Sequence, residues 1–209
     1  MKYRSLVFDF DGTIADTLEE GLKIYNRMAG QHNLRTIQED EVHYLRQMKL
    51  SDFLEHLAVP KRLVPKLLYK GTRMLKARIG KLPLIEGMGE VLPSLRSKSE
   101  HFGILTSNST ENVQLFLRNH GIEDVFSFIS STSKLTGKSK HLSSIRRTFS
   151  IKAEEMIYIG DEIRDVKAAK KAGISMAAVG WGFNAPEALA GTNPNFLFHQ
   201  PDELHTLVD

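Results

Sequence analysis

Arg4-Ser5-Leu6-Val7-Phe8-Asp9-Phe10-Asp11-Gly12-Thr13 is the stretch on which the fold turns. The run Arg4–Phe10 has strand length, lacks polar alternation and ends in carboxylates, so the strand is expected to be buried on both faces. His101–Thr106, Met156–Gly160 and Ser175–Val179 have the same character, and Phe126–Ser131 adds a fourth such segment. Helical patterns lie between them at Thr110–His120, Lys138–Phe149 and Ile163–Ala172. Strands alternating with helices of this length predict an α/β fold, a doubly wound parallel sheet covered on both sides. Gly121 and Gly173 stand where left-handed C-terminal caps belong, and Ser109 or Thr110 is placed to cap the helix that follows.

The alternation is broken once, between Asp16 and Leu84, where the periodicity is helical throughout. Thr17 with Glu20 fits a capping box, opening a helix that carries Leu18, Leu22, Tyr25 and Met28. Further helices are expected over Glu39–Met48, Ser51–Leu57 and Lys61–Ile79. The expected organisation is a catalytic core of residues 1–15 and 85–209 with an inserted all-α cap over 16–84. Pro83–Gly87 serves as the return linker, leading into a helix that ends around Arg96.

Composition narrows the function. The chain has 209 residues, 28 Lys+Arg against 25 Asp+Glu, and no cysteine. Disulfides, thiolate nucleophiles and cysteine-bound metals are therefore excluded. The eight histidines show no zinc-binding spacing, so a metal here should be hard and bound by oxygen. A net charge of +3, scattered among acids, reads as an ordinary solvated surface, with no nucleic-acid partner expected. The absence of cysteine makes a cytoplasmic location the default expectation, and no apolar stretch reaches the ~20 residues of a membrane span, so no membrane partner is expected. Oligomeric state is left between monomer and homodimer.

In an open parallel sheet, ligands bind beyond the carboxyl ends of the strands. Those ends carry Asp9, Asp11, Gly12 and Thr13 after the first strand, and Thr106, Ser107 and Asn108 after the second. Lys138 follows the third, with Asp161 and Asp165 after the fourth. Four carboxylates meeting in one cleft repel unless a cation neutralises them, and an all-oxygen set selects Mg²⁺. Lys138, Thr106 and the backbone N–H groups around Gly12 supply what a phosphoryl group needs. Asp9 is assigned as nucleophile and Asp11 as the acid/base that protonates the leaving oxygen and later activates water.

Asp9-Phe-Asp-Gly-Thr13, the strand ending in Thr106, Lys138 and the Gly160-Asp161-x3-Asp165 cluster resemble, in order, the four motifs of the haloacid dehalogenase-like hydrolase superfamily. The chain is similar to its phosphoglycolate phosphatase-type members, whose helical cap lies between the first and second motifs. The resemblance implies a Mg²⁺-dependent phosphatase acting on a small phosphomonoester, phosphoglycolate-like or a sugar phosphate, through an aspartyl phosphate. It implies that Asp9, the backbone carbonyl of Asp11 and Asp161 hold Mg²⁺. Asp165 would support the metal from outside its ligands or pair with Lys138, and Thr106 would bind the phosphoryl oxygen. A phosphomutase uses the same intermediate, and a non-catalytic binding module is the reading from a different class.

Two departures matter. The family commonly has Lys-Pro in its third motif, whereas this chain has Gly137-Lys138-Ser139-Lys140, which leaves Lys140 as a rival for the lysine role. The dehalogenases themselves lack the acid/base carboxylate that Asp11 provides. Lys134, Lys140, Arg146 and Arg147 read as a solvated basic face. Arg46 and Lys49 in the cap are candidate contacts for an anionic substrate tail. Trp181 is expected to pack in the core, and Asp16 to belong to the hinge.

Overall fold

A computed structural model describes residues 3–132 and 137–209; Lys134 lies outside them. Six strands form one parallel sheet: β1 Ser5–Phe8, β2 His101–Thr106, β3 Phe128–Ser131, β4 Met156–Gly160, β5 Ser175–Val179 and β6 Phe196–Phe198. Their order is β3-β2-β1-β4-β5-β6. The connections run outward in both directions from the adjacent pair β1 and β4, so the crevice of a doubly wound sheet opens between the carboxyl ends of these two strands. Ser5 to Phe8 are in register with Met156 to Ile159, which places Asp9 and Gly160 side by side at the rim.

The unbroken apolar runs are explained by what covers each face. Leu6, Phe8, Phe102, Ile104, Ile157 and Ile159 point to one side, against α5 (Met88–Ser97) and α6 (Thr110–Asn119). Val7, Leu105, Tyr158 and Met176 point to the other, against α7 (Lys138–Thr148), α8 (Ile163–Ala172) and α9 (Pro186–Ala190). Because successive strand side chains alternate between faces, a strand covered on both must be apolar at every position.

Between the first strand and α5 lie the helices α1 (Leu18–Gln31), α2 (Val42–Leu45), α3 (Leu50–His56) and α4 (Val64–Lys76). They enclose a core of their own built on Ile24, Met28, Leu45, Leu57 and Leu67. The segment leaves and re-enters the sheet layer side by side. Ala15 bridges Leu84, the Asp16 N–H donates to Pro83 O at 3.0 Å, and the Ile85 N–H donates to Ile14 O at 2.9 Å.

Several local expectations need correction. The first strand ends at Phe8, because the chain turns at the rim, although the Asp9 N–H still bonds Ile159 O at 2.7 Å. The Thr17–Glu20 capping box does not form. Thr17 is already helical, its buried hydroxyl has no partner among the described residues, and Glu20 is drawn 2.9 Å from Arg78. Residues Glu39–Glu41 form a 3₁₀ turn ahead of the single turn of α2, and α4 starts only at Val64, with Pro65 in its first turn. The edge strand β6 escaped the periodicity because three residues are too few to show any. Gly121 and Gly173 adopt the left-handed conformation at φ 66° and 69°, and Ser109 caps α6.

Phe102 is fully buried, its ring 5.0 Å from Phe8 and 5.3 Å from Phe126. Phe102→Ala should lower the free energy of unfolding by about 3–5 kcal/mol through lost burial and the cavity left behind. Urea titration against the unaltered chain measures this.

Candidate active site

Lys138 sits at the first position of α7 with its side chain 3% exposed. Its ammonium lies 2.5 Å from Asp9 Oδ2 and 2.7 Å from Asp165 Oδ1. Burial opposes the charge, but Asp165 and Asp9 outweigh it and raise the Lys138 pKa above the ordinary lysine value. The neighbouring Lys140 is exposed, so the structure brings Lys138 and not its rival to the carboxylates. A helix turns about 100° per residue, so two residues on, the side chain faces away.

Asp9 is held at both oxygens, since the Phe10 N–H donates to Oδ1 at 2.8 Å. Burial pushes its pKa up to about 7, with Lys138 opposing the rise. Asp11 accepts two long contacts of 3.4 Å from the Asn108 amide, and burial raises it to about 6. Thr106, buried at the end of β2, accepts from the Asn108 N–H at 2.9 Å, and Ser131 ties down Asn108 O at 2.6 Å. Ser107 stands beside them on the same rim. Tyr158 donates to Leu105 O at 3.3 Å and lies 3.5 Å from Asp165 Oδ1.

Asp161 is oriented by the loop beyond β5. Its Oδ1 accepts from Thr13 Oγ1 at 2.8 Å and its Oδ2 from the Phe183 N–H at 2.7 Å. Any Cβ at Gly12 or Gly182 would collide with this carboxylate, and Gly12 also needs φ 75°. Burial, with repulsion from Glu162, Asp9 and Asp165, raises the Asp161 pKa well above the carboxylate range.

The carboxylates that come within 4.8 Å of one another are those of Asp9, Glu162 and Asp165. The expected metal set was Asp9, Asp11, Asp161 and Asp165. In this tight cluster Glu162 takes the place of Asp161, whose oxygens face Thr13 and Phe183, and of Asp11, whose carboxylate faces Asn108. Asp165 pairs with Lys138 and accepts from the Glu162 N–H at 3.2 Å. Glu162 in turn is paired with Arg164.

The cap residues behave differently from expectation. Arg46 does not present its guanidinium to a ligand; it donates to Gly180 O at 2.9 Å and to Gly182 O at 2.8 and 3.1 Å. Asn184 completes the clasp from the core side, its amide donating to Arg46 O at 2.9 Å and Met48 O at 2.8 Å. Lys49 is exposed and lies 3.5 Å from Asp52. Trp181 packs against the core as expected and donates to Thr13 O at 3.2 Å. Asp16 is exposed on the strap. Glu162, Arg164, Phe183 and Asn184 were not singled out in the sequence. Glu162 and Arg164 lie inside a motif already quoted, whereas nothing local marks Phe183 or Asn184.

The family model for haloacid dehalogenase-like hydrolases matches residues 6–179. The chain belongs to that family. Over 201 residues it is 32% identical to a phosphoglycolate phosphatase of Synechococcus elongatus, an alignment covering 96% of this chain and 95% of the relative. It is 23% identical over 212 residues to Pyrophosphatase PpaX of Listeria welshimeri, covering 99% and 97%. A haloacid dehalogenase-like hydrolase from Streptococcus pneumoniae superposes with a TM-score of 0.83 at 22% identity, covering 100% of this chain and 99% of that one. Within the family the chain is an enzyme, a phosphatase. No helix among the described residues is long and apolar enough to cross a membrane.

Two outcomes follow from this geometry. Asn184→Ala removes both amide bonds to the cap, each worth about 1 kcal/mol. Amides around 46–53 should then exchange with solvent on the order of tenfold faster or more, while those of β1 and β2 keep their rates. The second concerns pH. In the metal-free protein, the folded state keeps Asp9 protonated up to about 7, whereas the unfolded chain releases that proton near 3.8. Folded chains therefore bind more protons in that window, and stability falls as the pH rises through it. Urea midpoints at pH 5 and pH 7 in the presence of a chelator should show the decrease.

Proposed function

We propose that this chain hydrolyses a phosphomonoester by transferring the phosphoryl group to Asp9 and then to water. The observation that carries this reading is the buried Lys138 bridging Asp9 and Asp165. That arrangement orients one oxygen of Asp9 and places a fixed positive charge where a phosphoryl group would gather negative charge.

The residues fit the Mg²⁺ that the family resemblance implies. Lys138 compensates Asp9 and Asp165, and Arg164 compensates Glu162, but among the described residues Asp161 receives only neutral donors. Burial, with repulsion from Glu162, Asp9 and Asp165, holds its pKa well above the carboxylate range. Asp9 and Asp161, with the carbonyl of Asp11, would hold the ion, and Asp165 would act through Lys138. Bound there, Mg²⁺ supplies charge neutralisation for an anionic substrate and lowers the pKa of the carboxylates around it.

Asp9 attacks phosphorus while Asp11 gives its proton to the departing oxygen; Asp11 then takes a proton from the water that opens the aspartyl phosphate. Burial raises both acids, and Lys138 opposes the rise at Asp9. The division of labour needs Asp9 ionised, which Lys138 favours and a bound cation would favour further. Thr106, Ser107 and the backbone around Gly12 and Thr13 receive the phosphoryl oxygens. Asn108 positions Asp11. The Arg46–Asn184 clasp keeps the cap over the rim and excludes bulk water during transfer.

With p-nitrophenyl phosphate in Mg²⁺, Asp9→Asn should abolish turnover. Asp11→Asn should lower kcat by about 10²- to 10⁴-fold. Because nitrophenolate leaves without a proton, Asp11→Asn should also accumulate protein heavier by one phosphoryl group, detectable by mass spectrometry of the quenched reaction. Wild-type turnover by Asp9→Asn would refute the mechanism.

A further inference from the structure

Between α1, α4 and the α2–α3 segment, the cap encloses a cavity of about 320 Å³ that reaches the active-site loop. Leu22, Met28, Phe53, Leu54, Leu67 and Leu68 represent its wall, and the core contributes Glu162, Phe183 and Asn184. Glu162 is common to both spaces: it lines the cavity, and one of its carboxylate oxygens lies within 4.8 Å of Asp9. The Phe183 ring joins them as well, lying against Gly12 in the nucleophile loop and Gly21 in α1. A molecule with its phosphorus at Asp9 therefore has the cavity within reach of the group it releases.

The charge of the wall limits what that group is. Among the described lining residues Arg46 is the single cation, and its Nε and Nη2 donate to the carbonyls of Gly180 and Gly182. The Asn184 amide is committed to Arg46 O and Met48 O, its oxygen accepts from the Ile163 N–H at 3.0 Å, and the Tyr25 hydroxyl donates to Arg35 O at 3.0 Å. The carboxylate of Glu162 at the mouth is paired with Arg164. A second anionic group entering here would lose its water among apolar side chains, and the Arg46 guanidinium is already hydrogen-bonded through Nε and Nη2.

On the basis of the phosphatase reading above, we infer that the cap cavity seats the alcohol portion of the substrate and takes an uncharged, apolar one. The substrate class is then an alkyl or aryl monophosphate with a single anionic end. Glycolate or a second phosphate, the groups that the names of the relatives point to, would be poorly held in this chain.

Steady-state kinetics on methyl, ethyl, propyl and butyl phosphate test this, since their alcohols are nearly equal as leaving groups and differ in apolar length. Each buried methylene contributes ~0.8 kcal/mol, so kcat/KM should rise about fourfold per step and exceed that for 2-phosphoglycolate or pyrophosphate by butyl phosphate. Gly71→Leu fills the cavity from α4, where a new Cβ would meet the flexible end of Met28 at 3.2 Å and Ile24 Cγ2 at an ordinary 3.9 Å. It should flatten the series, with a thermal melt confirming that the variant is folded. A flat or falling series in the unaltered enzyme, or 2-phosphoglycolate as the better substrate, overturns the inference and leaves the phosphatase reading standing. Absence of turnover on every ester overturns that reading instead. Calorimetric titration with the matching alkyl phosphonates, which cannot be hydrolysed, then reports on the cavity directly: affinity independent of chain length refutes it.

Discussion

One ammonium group, buried between two carboxylates, is the constraint around which the rest of this molecule is arranged. Lys138 opens α7, Asp9 directly follows β1, and Asp165 lies in the first turn of α8, so the triad ties together three elements distant in sequence. A charge removed from water is tolerated only with close partners, and removing one partner leaves another uncompensated. The sheet must therefore bring β1 and β4 together as neighbours, and α7 must begin where its first side chain can reach their ends. Both are met by a strand order that diverges between β1 and β4. Fold and site are in this sense a single solution to one electrostatic problem.

The same reasoning explains why Asp161 differs from its neighbours. It is buried as deeply as Asp165, yet among the described residues its hydrogen-bond partners are the Thr13 hydroxyl and the Phe183 N–H, both neutral. The loop that supplies this backbone is also the one the cap grips through Arg46 and Asn184. Cap position and Asp161 orientation thus share one short stretch, residues 180–184. Arg46 holds the Gly180 and Gly182 carbonyls, and the Arg46 and Met48 carbonyls hold the Asn184 amide, so the contacts that seat the cap also fix this stretch.

Much of this was legible in the sequence because the signals are local and repeated. Leu6-Val7-Phe8 lacks polar alternation since both faces of β1 are covered, and Asp9, Asp11 and Asp161 follow strand ends where a parallel sheet places its ligands, with Asp165 one turn further on in α8. Thr17 shows where local pattern misleads: Glu20, the other half of its apparent capping box, finds Arg78 across the cap instead, and a tertiary ion pair displaces a local one. Arg46 looked available for an anionic substrate, but carbonyls of a loop more than 130 residues away claim it. Glu162 was passed over within a motif that had already been quoted.

The order of elements, the motifs at the strand ends and the absence of any thiol chemistry were determined by the sequence alone, because each depends on residues adjacent in the chain or on composition. Which lysine is buried, which acid receives only neutral donors among the described residues, and what kind of space the cap encloses were decided only by the tertiary structure. Burial, charge compensation and cavity shape arise from side chains that meet across the whole length of the chain. Linear spacing does not encode their distances.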